Sequence, residues 1–496
     1  MINNITKWLD ETAKKYPDNT AIVDGERSVT FWELRYKALC LAEAIVEKGL
    51  FKEPIAVMMP KSMDVIVCFL GVAYSGNFYS VIDTEMPPAR QQKIMETLEP
   101  RLIITTLTED KTGDADTYQY DYETMELSCE EKVIEQRERT CDADLLYVLF
   151  TSGSTGIPKG VTITHQSVMD YIDWVEETFD IRESDSFGNQ APFYFDNSIL
   201  DIYTSIKTGA AMYIIPQILF SQPVSLLNYL KENGITTIFW VPSALIVVAN
   251  LRALKKVELA QTLKRVLFCG EVMPNKQLNM WRKSIPDGIF ANLYGPTEIT
   301  DACTYYIVDR EFEDSEPLPI GKAARNTDIL VLNENNCLVG EGETGELCVR
   351  GTSISRGYYN NQEKTKEVFV QNPLNNKYIE YIYRTGDLVK YNEYGELLYV
   401  SRKDFQIKHM GHRIELGEIE TLVSGMDEIE HCCCIYDNVR NKIILFVMGA
   451  AVQEDIVAYL KNNLPYYMVP SKIIQMSKLP MTANGKIDRK KLQESI

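Results

Sequence analysis

The stretch that decides the fold runs Leu145-Leu146-Tyr147-Val148-Leu149-Phe150 and continues as Thr151-Ser152-Gly153-Ser154-Thr155-Gly156-Ile157-Pro158-Lys159-Gly160. The apolar and aromatic run reads as a buried strand, and a turn rich in glycine and hydroxyls follows it with no spacer. Glycines let the backbone turn its amides toward an anion, and the hydroxyls add donors, so the loop has the chemistry of a phosphate cradle. It is not a Walker A loop. That motif needs glycine directly before the lysine and serine or threonine directly after it, and here Pro158 and Gly160 hold those places. A glycine-serine turn by itself is also an ordinary surface loop, so its flanks must decide between the two readings.

Outward from this loop the pattern alternates. Ile5 to Tyr16 and Phe31 to Lys48 have helical periodicity, while Ile55 to Met58, Arg101 to Thr105 and Lys264 to Phe268 are short apolar strands. Such alternation predicts α/β layers. Gly345 to Arg350 and Glu396 to Val400 read as strands of a β-rich portion. Past Lys403 comes a charged, glycine-punctuated stretch, then a strand, helix and strand, and Ser477 to Ile496 reads as a loop with a short basic helix. The expected fold class is therefore α/β. Residues 1–403 are expected to form a large N-terminal domain of layered α/β subdomains plus the β-rich portion, and residues 404–496 a small α+β C-terminal domain.

A chain of 496 residues exceeds one ordinary core, and 45% apolar with 24% charged residues is the balance of a globular protein. Lysine plus arginine number 51 against 70 acidic residues, a net charge of −19 that opposes binding to a nucleic-acid backbone. No apolar run approaches the roughly 20 residues that span a bilayer, and Met1-Ile2-Asn3-Asn4 does not open a basic and then apolar leader. The expectation is a cytoplasmic chain with no membrane span. Its eleven cysteines are scattered, with no spacing that indicates zinc. The one cluster, Cys432-Cys433-Cys434, lies in an apolar run and reads as a buried strand of small thiols, reduced as in a cytosolic setting.

Three further segments give the loop its context: Asn292-Leu293-Tyr294-Gly295-Pro296-Thr297-Glu298, Tyr383-Arg384-Thr385-Gly386-Asp387 and Asn484-Gly485-Lys486. Together with the loop, in this order and spacing, they resemble the signature set of the adenylate-forming superfamily, which comprises acyl-CoA synthetases, luciferases and the adenylation domains of nonribosomal peptide synthetases. The resemblance covers nearly the whole chain. It implies attack of a carboxylate on the α-phosphate of ATP, a meeting of two anions that needs positive charge and alignment.

What the resemblance implies for single residues follows the motifs. Lys486 matches the catalytic lysine that bridges the reacting carboxylate and the α-phosphate. Thr151, Ser152, Gly153, Ser154, Thr155, Gly156 and Lys159 match the phosphate loop. Glu298, with help from Thr155, matches the holder of Mg²⁺, a hard cation served by hard oxygen ligands. Asp387 matches the carboxylate that accepts both ribose hydroxyls, supported by Arg402. Tyr294 matches the ring stacked on adenine, with Asn292, Gly295, Thr297 and the Gly270-Glu271 backbone around the nucleotide. Asp404 matches the hinge on which the lid turns after adenylation to admit a thiol. Ser401 departs from the family's usual glycine, and His409-Met410-Gly411 departs from its usual basic residue before glycine, which bears on the acceptor.

The segment Ala191 to Ser198 resembles that of amino-acid-activating members, in which an aspartate receives the substrate's α-ammonium. Asp196 is the match; the competing reading is a helix cap. Fatty and aryl acids have no ammonium, and a buried unpaired carboxylate would be costly in their enzymes. By the same resemblance Asn197, Leu200, Phe239, Leu267, Cys269, Leu293, Asp301 and Ala302 line the pocket, whose bulky members make it small. Phe268-Cys269-Gly270-Glu271-Val272 is similar to the form found in D-alanine:D-alanyl carrier protein ligases, which makes D-alanine the leading expectation. Asp301 and Asn197 depart from that pattern and keep open a free-standing peptide-synthetase-type enzyme for another small or polar amino acid. An acyl- or aryl-CoA synthetase and a non-catalytic nucleotide-binding relative are the remaining alternatives, the second opposed by the presence of Lys486, Glu298 and Asp387. No serine-bearing carrier motif follows Lys486, so the expected acceptor is a separate phosphopantetheinyl carrier protein.

Overall fold

The computed structural model describes residues 2–107, 115–153, 156–438, 440–481 and 487–496. The chain forms a mixed α/β structure that divides into two compact units. The first comprises Met1–Thr84, Leu98–Leu149 and Val161–Ser401. Its largest sheet has nine strands in the order Lys322–Ala323, Thr304–Ile307, Ile289–Tyr294, Arg265–Phe268, Thr237–Trp240, Ser186–Asn189, Ala211–Ile214, Thr20–Asp24 and Arg27–Thr30. The pairs from Thr20–Asp24 to Ile289–Tyr294 are parallel, and the two outer margins are antiparallel. A six-stranded sheet is built on Pro54–Met58, Phe78–Val81 and Leu102–Thr105, every residue of which is buried. Burial on both faces is what a parallel sheet between helices requires, and it explains why these strands read as unbroken apolar runs.

Local signals set the helices. Phe31–Glu47 opens on a capping box in which Thr30 accepts from the Glu33 amide and the Glu33 carboxylate accepts from the Thr30 amide. The predicted helix ends at 5, 16 and 48 lie within a residue of the observed Thr6–Lys15 and Phe31–Glu47. The β-rich portion is a five-stranded sheet of Thr327–Leu332, Gly345–Gly351, Tyr381–Tyr391 and Phe369–Gln371, with Leu397–Arg402 paired to Tyr381–Tyr391.

The second unit comprises Arg402–Ile496 together with Glu85–Thr97 and Phe150–Gly160. The hairpin Gln406–His409 and His412–Glu415 turns at Met410 and Gly411, with φ of 54° and 79°, the pair of positive angles that a tight hairpin turn demands. Strands Ile429–Asp437, Lys442–Gly449 and Lys472–Gln475 form its sheet. Cys432 and Cys434 join one hydrophobic cluster and Cys433 another, as alternation along a strand dictates, and all three thiols are free and buried. The short basic helix expected near the end is Arg489–Glu494.

Within this unit Arg90 and Glu418 form an ion pair of 2.5 Å with side chains only 6% and 3% exposed. Removing one partner of such a pair strands a buried charge and costs about 3–5 kcal/mol. Arg90→Ala is therefore expected to speed amide hydrogen exchange in the helix Leu416–Ser424 and to lower the denaturation midpoint. Unchanged exchange in that helix would show that Glu418 is satisfied without Arg90.

Candidate active site

In the first unit four parallel strands end side by side. Phe239 lies opposite both Asn189 and Leu267, and Phe268 lies opposite Asn292. Crevices beyond the carboxyl ends of such strands are the places where open α/β sheets hold ligands. Asp196 stands at the start of the helix Asn197–Thr208, Cys269 and Gly270 directly follow Arg265–Phe268, and Gly295 to Ala302 follow Ile289–Tyr294.

Leu200, Phe239, Leu267, Cys269, Leu293 and Ala302 are all buried and belong to one continuous hydrophobic cluster with Tyr294. Asp196 accepts from the Asn197 amide at 3.1 Å, so it caps its helix, and Asn197 Nδ2 has no hydrogen-bond partner among the described residues. Asp301 is 1% exposed and accepts the Tyr171 hydroxyl at 2.5 Å. Thr300 and Asp301 have φ of 58° and 71°, consecutive left-handed residues without glycine that cost about 1–3 kcal/mol each. Gly295 permits this hairpin, because a Cβ there would sit 2.3 Å from the Asp301 carbonyl oxygen. Tyr171 and Tyr147 are fully buried, and their phenols are raised well above the ordinary range by burial first and then by the charges of Asp301 and Asp196. Neither tyrosine was legible as a site residue in the sequence. Tyr171 lies on an amphipathic helix, His165–Phe179, where a buried aromatic reads as core.

Among the residues matched to the nucleotide, Tyr294 and Asp387 meet. Tyr294 donates its hydroxyl to Asp387, which is buried and receives its own amide's support from Thr385 Oγ1 as an acceptor at 3.0 Å. Asn292 donates to the Pro319 carbonyl at 2.8 Å, and Glu271 accepts from the Ser243 amide at 2.9 Å. Thr297 is buried beside Glu298, which is fully buried and accepts the Tyr358 hydroxyl at 2.6 Å. Tyr358 is a further residue that the sequence did not single out. The donor set at Glu298 is one hard carboxylate, which suits Mg²⁺ carried in on phosphates with most of its waters retained. Among the described residues no group of three or more His, Cys, Asp or Glu is placed to hold a metal ion.

The described loop residues lie in the second unit, apart from the strand that leads into them. Ser152 donates to the Arg413 carbonyl at 2.7 Å, Lys159 contacts Glu415 at 3.3 Å, and Gly156 accepts Lys93 at 2.9 Å. Gly153 is required by the tightness of the turn, since a Cβ there would lie 2.1 Å from the Ile157 carbonyl oxygen. The Thr151 hydroxyl is buried with no partner among the described residues. Arg402 grips Asp404 through two bonds, 2.7 and 2.9 Å, so the nucleotide-support and hinge candidates contact each other. Burial works to raise the Asp404 carboxyl, and the Arg402 bonds outweigh it and leave it below its ordinary value. Ser154, Thr155 and Lys486 lie outside the described residues.

With this geometry in hand, comparisons with known proteins define the class. A family model described as AMP-binding enzyme matches residues 9–359, and one described as AMP-binding enzyme C-terminal domain matches residues 418–486. The chain belongs to the AMP-binding enzyme family. It is 32% identical over 515 residues to a D-alanine--D-alanyl carrier protein ligase of Bacillus cytotoxicus, an alignment that covers 100% of this chain and 99% of that protein. It is also 32% identical over 503 residues to Tyrocidine synthase 1 of Brevibacillus parabrevis, covering 99% of this chain but 45% of the synthase, so this chain spans less than half of that relative. Its fold is shared with the Vibrio cholerae adenylation domain AlmE, solved in complex with glycyl-adenosine-5'-phosphate, at a TM-score of 0.85 and 20% identity over 100% of this chain and 98% of that one. Among the described residues no helix is long and apolar enough to cross a membrane.

One more acid belongs to the helix that Asp196 caps. Asp201 is fully buried and accepts Asn189 Nδ2 at 2.8 Å. Burial pushes its carboxyl up to about 8 from 3.8, against the pull of Asn189 and Lys61. Between about pH 4 and its raised value the folded chain keeps a proton that the unfolded chain has lost, so this group's contribution to stability falls as pH rises across that window. Asp201→Asn is expected to flatten the decline, giving a variant more stable than the parent at pH 8 in urea titrations. A variant that is less stable than the parent at pH 8 would show that Asp201 is ionised in the folded protein.

Proposed function

We propose that this protein activates the carboxylate of a small amino acid with ATP and transfers the aminoacyl group to the phosphopantetheine thiol of a carrier protein. The observation that carries the reading is Asp196. It heads the helix Asn197–Thr208, which carries the buried Leu200, and in this reading its carboxylate receives the α-ammonium. Membership of the AMP-binding enzyme family supports the adenylation step, and the carrier-protein ligase relative supports the thiol acceptor.

In the first half-reaction a carboxylate oxygen of the amino acid attacks the α-phosphorus of ATP, a new C–O–P link forms and pyrophosphate leaves. In the second the thiol sulfur attacks the carbonyl carbon, a thioester forms and AMP leaves with the oxygen that bridged to phosphorus. The residues serve alignment and charge. In this reading Asp196 orients the amino group, Asp387 and Tyr294 receive the nucleoside, the loop residues Thr151, Ser152, Ser154, Thr155 and Lys159 bind the phosphates, and Lys486 neutralises the two anions as they meet. Glu298, kept in place by Tyr358, would hold Mg²⁺, which supplies charge neutralisation at the phosphates. Arg402 and Asp404 form the hinge at the start of the lid.

D-alanine is supported by Cys269 and by the 32% identity to the D-alanyl ligase of Bacillus cytotoxicus. A second reading, a small polar amino acid, is favoured by the buried Asp301 with its Tyr171 bond. ATP–pyrophosphate exchange against D- and L-amino acids, with fatty and aryl acids included, tests the proposal. Exchange driven by a small amino acid, lowered at least 100-fold by Lys486→Ala through loss of electrostatic stabilisation, is the expected result. Exchange that only fatty or aryl acids support would assign Asp196 to helix capping alone.

A further inference from the structure

Resting on the carrier-protein reading and deepening it, we propose that the carrier protein docks on the surface formed by the helix Pro242–Asn250, the turn that follows it and the segment 271–277. The carrier meets this surface with an acidic face around an apolar centre.

The surface is continuous and lies within the first unit. The Ser243 amide donates to Glu271 at 2.9 Å near one end of the helix, and Gln277 Nε2 donates to Asn250 Oδ1 at 2.8 Å at the other. The segment 271–277 therefore runs beside the helix for about 10 Å, at 1.5 Å of rise per residue. Val247 and Leu251, one helical turn apart, and Val272 in the neighbouring segment are 42%, 61% and 74% exposed, an apolar strip that the described residues leave uncovered. Basic charge surrounds it. Between Pro242 and Ser284 stand eight Lys and Arg against two acidic residues, in a chain whose acidic residues lead by 70 to 51. Arg252, Lys255, Lys256 and Lys276 are exposed and enter no ion pair among the described residues, whereas Lys264 and Arg265 of the same stretch share Asp185. An apolar centre inside a charged rim is the anatomy of a non-obligate protein interface, and a rim of one sign selects a partner of the other. The place also fits a thiol acceptor. Trp240 lies opposite Phe268 where two parallel strands end, and the chain runs from Trp240 into this helix and from Phe268 through Gly270 to Val272. A Cβ on Gly270 would lie 3.9 Å from Val241, so the two exits are adjacent. Phe239 and Cys269, expected to line the substrate pocket, stand a few positions earlier on the same two paths, and a protein held here presents its thiol at that end of the sheet.

The test uses the full chain and the amino acid that supports pyrophosphate exchange. Its transfer is measured to the phosphopantetheinylated D-alanyl carrier protein of Bacillus cytotoxicus and to free pantetheine, by the parent, by Leu251→Glu and by the double variant Lys255→Glu with Lys256→Glu. Each variant is expected to raise KM for the carrier at least about 10-fold, the scale of removing an interface anchor, while kcat changes little. Pyrophosphate exchange and transfer to pantetheine, which brings no protein surface to dock, are expected to match the parent and so show that the variants are folded. Raising salt from about 50 to about 300 mM is expected to raise the parent's KM for the carrier and to affect the double variant less. A carrier KM unchanged in both variants overturns this inference and leaves the carrier reading standing. So does a parent whose carrier KM is indifferent to salt. So too does a Leu251→Glu variant that turns a dimer into a monomer in light scattering while keeping its carrier KM, since the surface then belongs to a second copy of the chain. A parent that sustains exchange and loads coenzyme A but not the carrier overturns both.

Discussion

Among the described residues of the first unit a hydrogen bond from a phenol to a buried carboxylate occurs three times, and the candidate site depends on it. Tyr171 serves Asp301, Tyr358 serves Glu298 and Tyr294 serves Asp387. Carboxylates cannot sit in a dry interior for nothing, because the charged form loses hydration worth several kcal/mol. A tyrosine meets part of that demand with one donor and no charge of its own. The hydrogen bond holds the acid in a fixed orientation. Twenty-eight tyrosines in the chain make the device available; Glu298 and Asp301 follow the strand Ile289–Tyr294 of the nine-stranded sheet, and Asp387 lies on Tyr381–Tyr391 of the β-rich sheet.

Much of this was legible in the sequence because local rules govern it. The strand before the glycine loop is observed as Leu145–Thr151, and the Gly345 and Leu397 regions are strands of one sheet. Cys432 to Cys434 alternate between two clusters, as a strand period of two requires. What the sequence could not express is which distant groups meet. The segments Glu85–Thr97 and Phe150–Gly160 join Arg402–Ile496 in one compact unit, an association made by pairs such as Arg90 with Glu418, 328 positions apart. Tyr171, 130 positions before Asp301, and Tyr358, 60 after Glu298, stood in helical and loop patterns that a core aromatic satisfies equally well. A buried acid signals that a donor exists, but not where in the chain it lies.

The substrate question turns on the same constraint. Cys269 and the overall similarity to a D-alanyl carrier protein ligase argue for a methyl side chain, and they bear on the shape of the pocket. Asp301 bears on its charge.

The central claim is that a substrate carboxylate oxygen becomes bonded to the α-phosphorus of ATP. Incubating the protein with ATP and a carboxyl-¹⁸O-labelled amino acid that supports pyrophosphate exchange, then releasing the acyl group with hydroxylamine, tests it directly by mass spectrometry of the nucleotide. The account predicts AMP carrying one ¹⁸O atom, the bridging oxygen left behind when the carbonyl is attacked. Unlabelled AMP, or ADP as the product, would contradict it.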